Sequence, residues 1–203
     1  MSTPVRMLLF STLFPSSVQP SHGIFVQARL RHLLASGDVQ AQVVAPVPWF
    51  PFRHRRFGEY AKLASVPSDE VLMGVPVHHP RFVRLPKIGM TAAPYTLARS
   101  GLAAARRLQA CGFDFDLIDA HYFYPDGVAA VMIGRALGKP VTITARGSDI
   151  NLIPQHAFPR RLILRAAERC AHVITVCQAL KDELVDLGAR SDKITVLRNG
   201  VDL

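Results

Sequence analysis

Seven short runs rich in β-branched or apolar residues recur along the chain: Val5 to Ser11, Val39 to Ala45, Val75 to His79, Leu117 to His121, Val141 to Ala145, Val173 to Cys177 and Ile194 to Leu197. Between most of them the apolar positions take helical spacing. Phe25 to Ala35 follows the first run, Ala93 to Ala110 precedes the fourth, and Gly127 to Leu137, Phe158 to Ala171 and Gln178 to Leu187 fill the later gaps. A strand covered on both faces has no polar side to alternate with, so near-continuous apolar strands separated by helices indicate βαβ units. The pattern predicts an α/β fold, a doubly wound parallel sheet of about seven strands with helices on both faces. No stretch approaches the length of apolar residues that a spanning helix needs. Met7 to Phe14, behind Arg6, has the look of a signal-peptide core, but Pro15 follows where a small-residue cleavage pattern belongs, so the segment reads as a buried strand.

Right-handed crossovers bring the C-terminal ends of parallel strands to one edge of the sheet, and ligands bind along that edge. The residues just after the strands are therefore the ones to search: Thr12 to Gly23, Pro46 to Trp49, His78 to Arg81, His121 to Asp126, Arg146 to Asn151, Gln178, and Arg198 to Asp202. The connection from Pro46 to Gly74 reads as one long loop, which in a compact domain is functional or mobile. It carries Arg53, His54, Arg55 and Arg56 among prolines and aromatics. Such a segment suits an anionic acceptor or a membrane surface; its plain alternative is a solvated charge run.

Composition narrows the partners. The 203 residues carry 24 Lys and Arg against 15 Asp and Glu, a formal charge of +9, and 19 of the 24 are arginine. The planar guanidinium suits phosphates and carboxylates, so anions are expected ligands. Arg161, Arg165 and Arg169 line one face of a helix, yet no aromatic RNA-binding string or helix-turn-helix pattern accompanies them, and nucleic acid is not an expected partner. Cys111, Cys170 and Cys177 are odd in number and fit no zinc spacing, which predicts free thiols and a cytoplasmic setting, with peripheral association at the membrane's inner face as a further expectation. No GxGxxG follows the first strand, and no GxSxG is present. The string Gly134 to Pro140 departs from a phosphate-binding loop in spacing and ends in proline; its Lys139 reads as a helix-end cation. His78 and His79 are adjacent on a strand and point to opposite faces, so no metal site is expected, nor any other cofactor.

Four segments carry more information together than any of these motifs. They are Phe14-Pro15 with Gly23-Ile24-Phe25-Val26; Asp119-Ala120-His121 with Pro125-Asp126-Gly127; Thr144 through Asn151; and Ile174-Thr175-Val176 leading to Ile194 through Asp202. In order and spacing they resemble the N-terminal half of a retaining GT-B glycosyltransferase of family 4, over essentially the whole chain. The resemblance implies a Rossmann-like, acceptor-side domain over residues 1–198. Residues 199–203 would begin a linker to a donor-binding C-terminal domain that the chain does not contain. It implies transfer of a sugar from a nucleotide-diphosphate donor to a polysaccharide or lipid-linked acceptor in cell-surface glycan synthesis.

The resemblance also assigns residues. His121 would approach the transferred sugar as an orienting or electrostatic group; capping its strand or stacking on Tyr122 or Tyr124 is the alternative. Gly23, at the mouth of a helix, would let backbone amides approach a diphosphate, or serve only its loop's geometry. Arg146 stands where many relatives have histidine and would hold a phosphate instead. Ser148 and Asp149 would meet sugar hydroxyls or cap their loop, and Asn199 and Asp202 would lie at the substrate edge. The family's paired glutamates have no counterpart among Glu59, Glu70, Glu168 and Glu183. The isolated chain is therefore expected to be inactive. Rival readings are a non-catalytic module for an anionic glycan or lipid, and a sugar-nucleotide epimerase of the same architecture.

Overall fold

The computed structural model describes residues 3–199 except 53, 55, 57 and 85–88. All seven expected strands are present: β1 (Val5–Phe10), β2 (Val39–Val44), β5 (Val75–His78), β7 (Leu117–His121), β8 (Val141–Ala145), β9 (His172–Thr175) and β10 (Ile194–Val196). With β4 (Asp69–Leu72) they form a sheet of order β10-β9-β8-β7-β1-β2-β5-β4, parallel except for β4. The chain winds outward from β1 through β2 to β5, then returns and winds the other way from β7. The order therefore reverses between β1 and β7, where their C-terminal ends leave a crevice.

Strand alternation divides the core. Leu8 and Phe10 of β1 join Ile118 and Ala120 of β7 in the larger cluster, under α3 (Gly89–Ala110), α4 (Val128–Leu137), α6 (Ala157–Arg169) and α7 (Gln178–Asp186). Met7 and Leu9 point the other way and pack with Val26 and Leu30 of α1 (Ile24–Ala35). The second face of β7 presents Leu117, Asp119 and His121 to this side, so the strand carries one apolar row and one row that ends in charge.

The connection read as one loop is in fact built. It contains β3 (Val47–Pro48), α2 (Glu59–Ser65) and β4, and β3 pairs with β6 (Arg81–Phe82) in a separate two-stranded ribbon. β4 and β5 form a hairpin whose two turn residues, Met73 and Gly74, have φ of 52° and 76°, the left-handed pair that matches strand twist. Helix α3 begins earlier than its apolar spacing implies, and Pro94 sits inside it. A proline cannot donate to the carbonyl four residues back; that carbonyl, on Met90, accepts the Tyr124 hydroxyl instead. Lys139 comes just after the end of α4 and pairs with Asp114 at 2.8 Å, as its helix-end reading anticipates.

Gly23 opens α1 at φ 71°. A Cβ there would lie 2.3 Å from the Leu13 carbonyl oxygen, so the residue both adopts a left-handed backbone and lets two chain segments touch. Gly37 has a similar φ of 78° but open space around it. Gly23→Ala is expected to cost more than Gly37→Ala. The latter loses only the left-handed preference, about 1–2 kcal/mol, while the former adds an overpacking cost of about 1–3 kcal/mol. Urea titration of the two variants checks the order; equal losses would mean that the Leu13 loop yields freely.

Candidate functional site

The site grows from the ends of β1, β7 and β8. Asp119 is a carboxylate 2% exposed inside a parallel sheet, and every donor it uses comes from the fold. Thr142 Oγ1 donates to it at 2.8 Å, Arg29 of α1 lies 3.9 Å away, and His121 Nε2 is 3.1 Å away. The other ring nitrogen of His121, Nδ1, sits 2.7 Å from Arg146 Nη2. A guanidinium only donates, so Nδ1 accepts and Nε2 carries the proton toward Asp119. This fixes the tautomer, and with it a neutral ring. Burial is the largest force on both groups. It pushes the His121 pKa down, helped by the Arg146 and Arg29 charges and opposed by Asp119. It pushes Asp119 up, but His121, Arg29 and Thr142 outweigh it and hold the carboxyl at about 2.

Arg146 is the outward end of this chain. Its Nη1 donates to Asn199 Oδ1 at 3.0 Å, and its guanidinium lies 4.9 Å from the centre of the Phe25 ring, in the first turn of α1. Its Nε is buried without a partner among the described residues. Burial and the neighbouring Arg29 lower its pKa to about 10, against the pull of Asp119 and Asp149, and it stays charged at neutral pH. Two guanidiniums thus share one firmly ionised carboxylate beside the positive end of α1.

Two further carboxylates tie the edge loops. Asp149, in the short helix α5 (Ser148–Asn151), accepts the backbone N–H groups of Phe123 at 2.6 Å, Gly147 at 2.7 Å and Arg146 at 3.0 Å. Asp126 accepts Thr12 N–H at 2.6 Å and Thr12 Oγ1 at 2.9 Å, joining the ends of β1 and β7 across the crevice. Burial drives Asp126 up to about 7 despite these donors, with the Asp149 charge adding to it. Between the two, Tyr122 holds φ 78°, an uncommon conformation for a side chain of its size, and its hydroxyl meets Ser148 Oγ at 2.8 Å.

The expected residues therefore separate. Gly23, His121, Arg146, Ser148, Asp149 and Asn199 gather at the switch point. His121, however, is wholly enclosed, with one ring nitrogen 3.1 Å from Asp119 and the other 2.7 Å from Arg146. Asp149 binds the backbone amides of Arg146 and Gly147 in its own loop and of Phe123 after β7. Arg53, Arg55 and Asp202 lie outside the described residues, and Arg56 belongs to the connection between β3 and α2. Asp119, Asp126, Arg29 and Thr12 carry roles that pattern reading did not assign. The available signal was Asp119 itself, a charge within an apolar strand that burial obliges to be paired. Among the described residues no group of three or more His, Cys, Asp or Glu is placed to hold a metal ion, and no helix is long and apolar enough to cross a membrane.

Beside this cluster a cavity of about 490 Å³ opens between the loops after β1 and β2, the β3–β6 ribbon and the start of α3. A pocket at the reversal of a doubly wound sheet, next to the Arg29 and Arg146 guanidiniums, is where an anionic substrate is expected. Sequence comparison then decides the family: the profile of Glycosyltransferase Family 4 matches residues 23–203. The chain belongs to that family. It is 27% identical over 203 residues to the Bacillus subtilis protein described as a putative teichuronic acid biosynthesis glycosyltransferase, TuaC, matching 98% of this chain and 50% of that one. The chain thus spans about half the length of this curated relative.

Solved structures agree on the fold. Anabaena Alr3699/HepE in complex with UDP-glucose superposes with a TM-score of 0.56 at 15% identity, covering 98% of this chain and 45% of that one. The lipopolysaccharide outer core galactosyltransferase WaaB gives 0.54 at 11%, covering 97% and 46%. The UDP-GlcNAc 2-epimerase of Methanocaldococcus jannaschii gives 0.56 at 10%, covering 97% and 46%. All three place this family 4 chain on one Rossmann-like half of the GT-B architecture.

Asp126 makes stability depend on pH in a defined direction. Its pKa is about 7 in the fold against 3.8 for the free side chain, so between those values the folded form binds more protons and stability falls as pH rises. Above pH 7 both states are ionised and the slope vanishes. Asp126→Asn removes this contribution while leaving a carbonyl oxygen for Thr12. Relative to wild type it should gain at least about 1 kcal/mol between pH 4.5 and 7.5. Denaturant midpoints at the two pH values measure it; a constant difference would show that Asp126 is ionised throughout.

Proposed function

We propose that this chain is the acceptor-side half of a retaining glycosyltransferase, which moves a sugar from a nucleotide-diphosphate donor to a polysaccharide or lipid-linked acceptor in cell-surface glycan synthesis. The observation that carries the reading is Arg146, a guanidinium held by His121 and Asn199 over the first turn of α1, with an unused buried N–H. That the curated relative is described as acting in teichuronic acid synthesis, and that a structural neighbour was solved with UDP-glucose, supports the same class of reaction.

In this reading the diphosphate comes to Arg146 and the amides just after Gly23, because guanidinium, helix N-terminus and nearby Arg29 all favour negative charge there. Charge on the departing diphosphate grows as the sugar bond breaks, so a fixed cation at that point lowers the barrier. His121 does not exchange a proton with substrate: it is a neutral spacer that transmits the Asp119 anchor to Arg146 and fixes where the guanidinium points. Ser148 and the Tyr122 hydroxyl remain at the edge for sugar hydroxyls. Residues 1–198 form this half, and the chain from residue 199 onward leads to the donor-binding domain, which supplies the remaining groups. The basic sequence at Arg53, Arg55 and Arg56 suits an anionic acceptor or membrane surface. The epimerase reading calls for carboxylates free to act on substrate, whereas Asp119, Asp126 and Asp149 are all committed to internal donors.

A screen of nucleotide sugars and acceptors on the full-length protein tests the assignment. Arg146→Ala there should lower transfer about 10²-fold or more, as loss of a charge-stabilising donor does. Arg146→Lys should restore part of it, since lysine keeps the charge but not the fork. His121→Ala should lose activity by the same route, so the double variant falls no further than Arg146→Ala alone; additive losses would give His121 an independent role. The 203-residue chain by itself should turn over no nucleotide sugar.

A further inference from the structure

We propose that the cavity beside the switch point receives the aliphatic chain of a phosphate-headed lipid, so that the acceptor is lipid-linked and is held by its chain as well as its head. This rests on the acceptor-side reading above and narrows it to one substrate class. The wall is made chiefly of apolar side chains, among them Leu13, Phe14, Val47, Leu63, Val66 and Met90. At about 490 Å³ it lies within the usual range of ligand pockets, about 300–1,000 Å³.

Its chemistry is unsuited to a sugar. Among the described lining residues there is no Asp, Glu or Asn, and Gln19 is the one side-chain amide that could pair with vicinal hydroxyls. The polar atoms that do line it are largely committed. His79 has its nitrogens at 2.9 Å from the Ala45 carbonyl and 2.8 Å from Glu70, His22 Nε2 is 3.1 Å from the Thr12 carbonyl, and the Tyr124 hydroxyl donates to Met90. Hydroxyls placed there would lose water and gain few partners, which costs rather than stabilises. A hydrocarbon loses nothing of that kind and gains from each methylene that leaves water.

The surroundings select the rest of the ligand. Exposed Trp49 and Phe52 come just after Pro48 of the wall, and exposed Tyr60 and Tyr95 belong to the α2 and α3 helices that supply Leu63 and Met90. Amphipathic aromatics of this kind suit a boundary between water and hydrocarbon. Arg84 lines the cavity, and no acidic side chain among the described residues does, so an anionic head is favoured over a neutral or cationic one. An apolar interior lined by Arg84, with exposed aromatics on the segments that supply its wall, matches a prenyl or alkyl phosphate.

Trp49 is the single tryptophan of the chain and follows Pro48 of the wall, so its emission serves as the reporter of ligand at the cavity. Farnesyl diphosphate, kept below its micelle concentration, should produce a saturable blue shift in the 203-residue chain. Isopentenyl diphosphate, with the same head and a shorter chain, should bind at least tenfold more weakly, and inorganic diphosphate should leave the spectrum unchanged. Ala93→Phe, which fills the cavity, and Met90→Glu, which puts a like charge at an exposed edge position, should each weaken farnesyl diphosphate at least tenfold, with unchanged circular dichroism confirming the fold. An unmoved spectrum, equal affinity for the two prenyl lengths, wild-type binding by both variants, or a shift that tracks protein concentration instead of probe would overturn the proposal. Nucleotide-sugar binding to the full-length protein, weakened by Arg146→Ala, separates the two readings: if it holds while Trp49 stays silent, the chain-binding cavity fails and the glycosyltransferase assignment stands.

Discussion

A carboxylate buried in the middle of a parallel sheet must find its counter-charge inside the fold, and Asp119 governs the site for that reason. Desolvation alone would leave it protonated. It stays ionised because Thr142, His121 and Arg29 converge on it from β8, its own strand and α1. Once Asp119 is an anion, the proton of His121 is fixed on Nε2. The acceptor nitrogen then faces Arg146, and the guanidinium is carried out to the sheet edge. Removing one member of such a buried set leaves the others unpaired, which is typically worth about 3–5 kcal/mol. The electrostatics of the edge and the packing of three strands are one arrangement.

The other two buried carboxylates serve geometry. Asp126 and Asp149 use their oxygens on backbone N–H groups that strand ends would otherwise leave unsatisfied. Together they brace the loops after β1, β7 and β8 around Tyr122, which can hold its positive φ because both neighbours, His121 and Phe123, are pinned. The crevice of a doubly wound sheet is thereby made rigid by groups that look, in one dimension, like candidate acids.

The strands were legible because burial on both faces removes polar alternation, and each of the seven runs is a strand. What escaped was structure held by tertiary contact. Helix α2 buries only Ala61 and Ala64, β3 and β6 are two residues each, and β4 has the exposed Asp69 and Val71. None carries enough apolar residues to set a period. At the site, the segments were legible but the division of labour was not. That His121 faces inward and Arg146 outward depends on which side of β7 meets α1, a fact of register between strands, and Arg29, supplied from the second turn of a helix, has no local signature at all.

The β4–β5 hairpin shapes the molecule's outer margin. A parallel sheet would otherwise end at β5 in a row of open backbone groups, an invitation to pair with a neighbouring molecule. The chain instead folds back through Met73 and Gly74. It places a four-residue antiparallel strand there, with Asp69 held by His78 and Arg107 at 2.6 Å each. Short and charged at its start, that strand is a poor template for edge-to-edge addition. The left-handed two-residue turn therefore also protects the protein from aggregation.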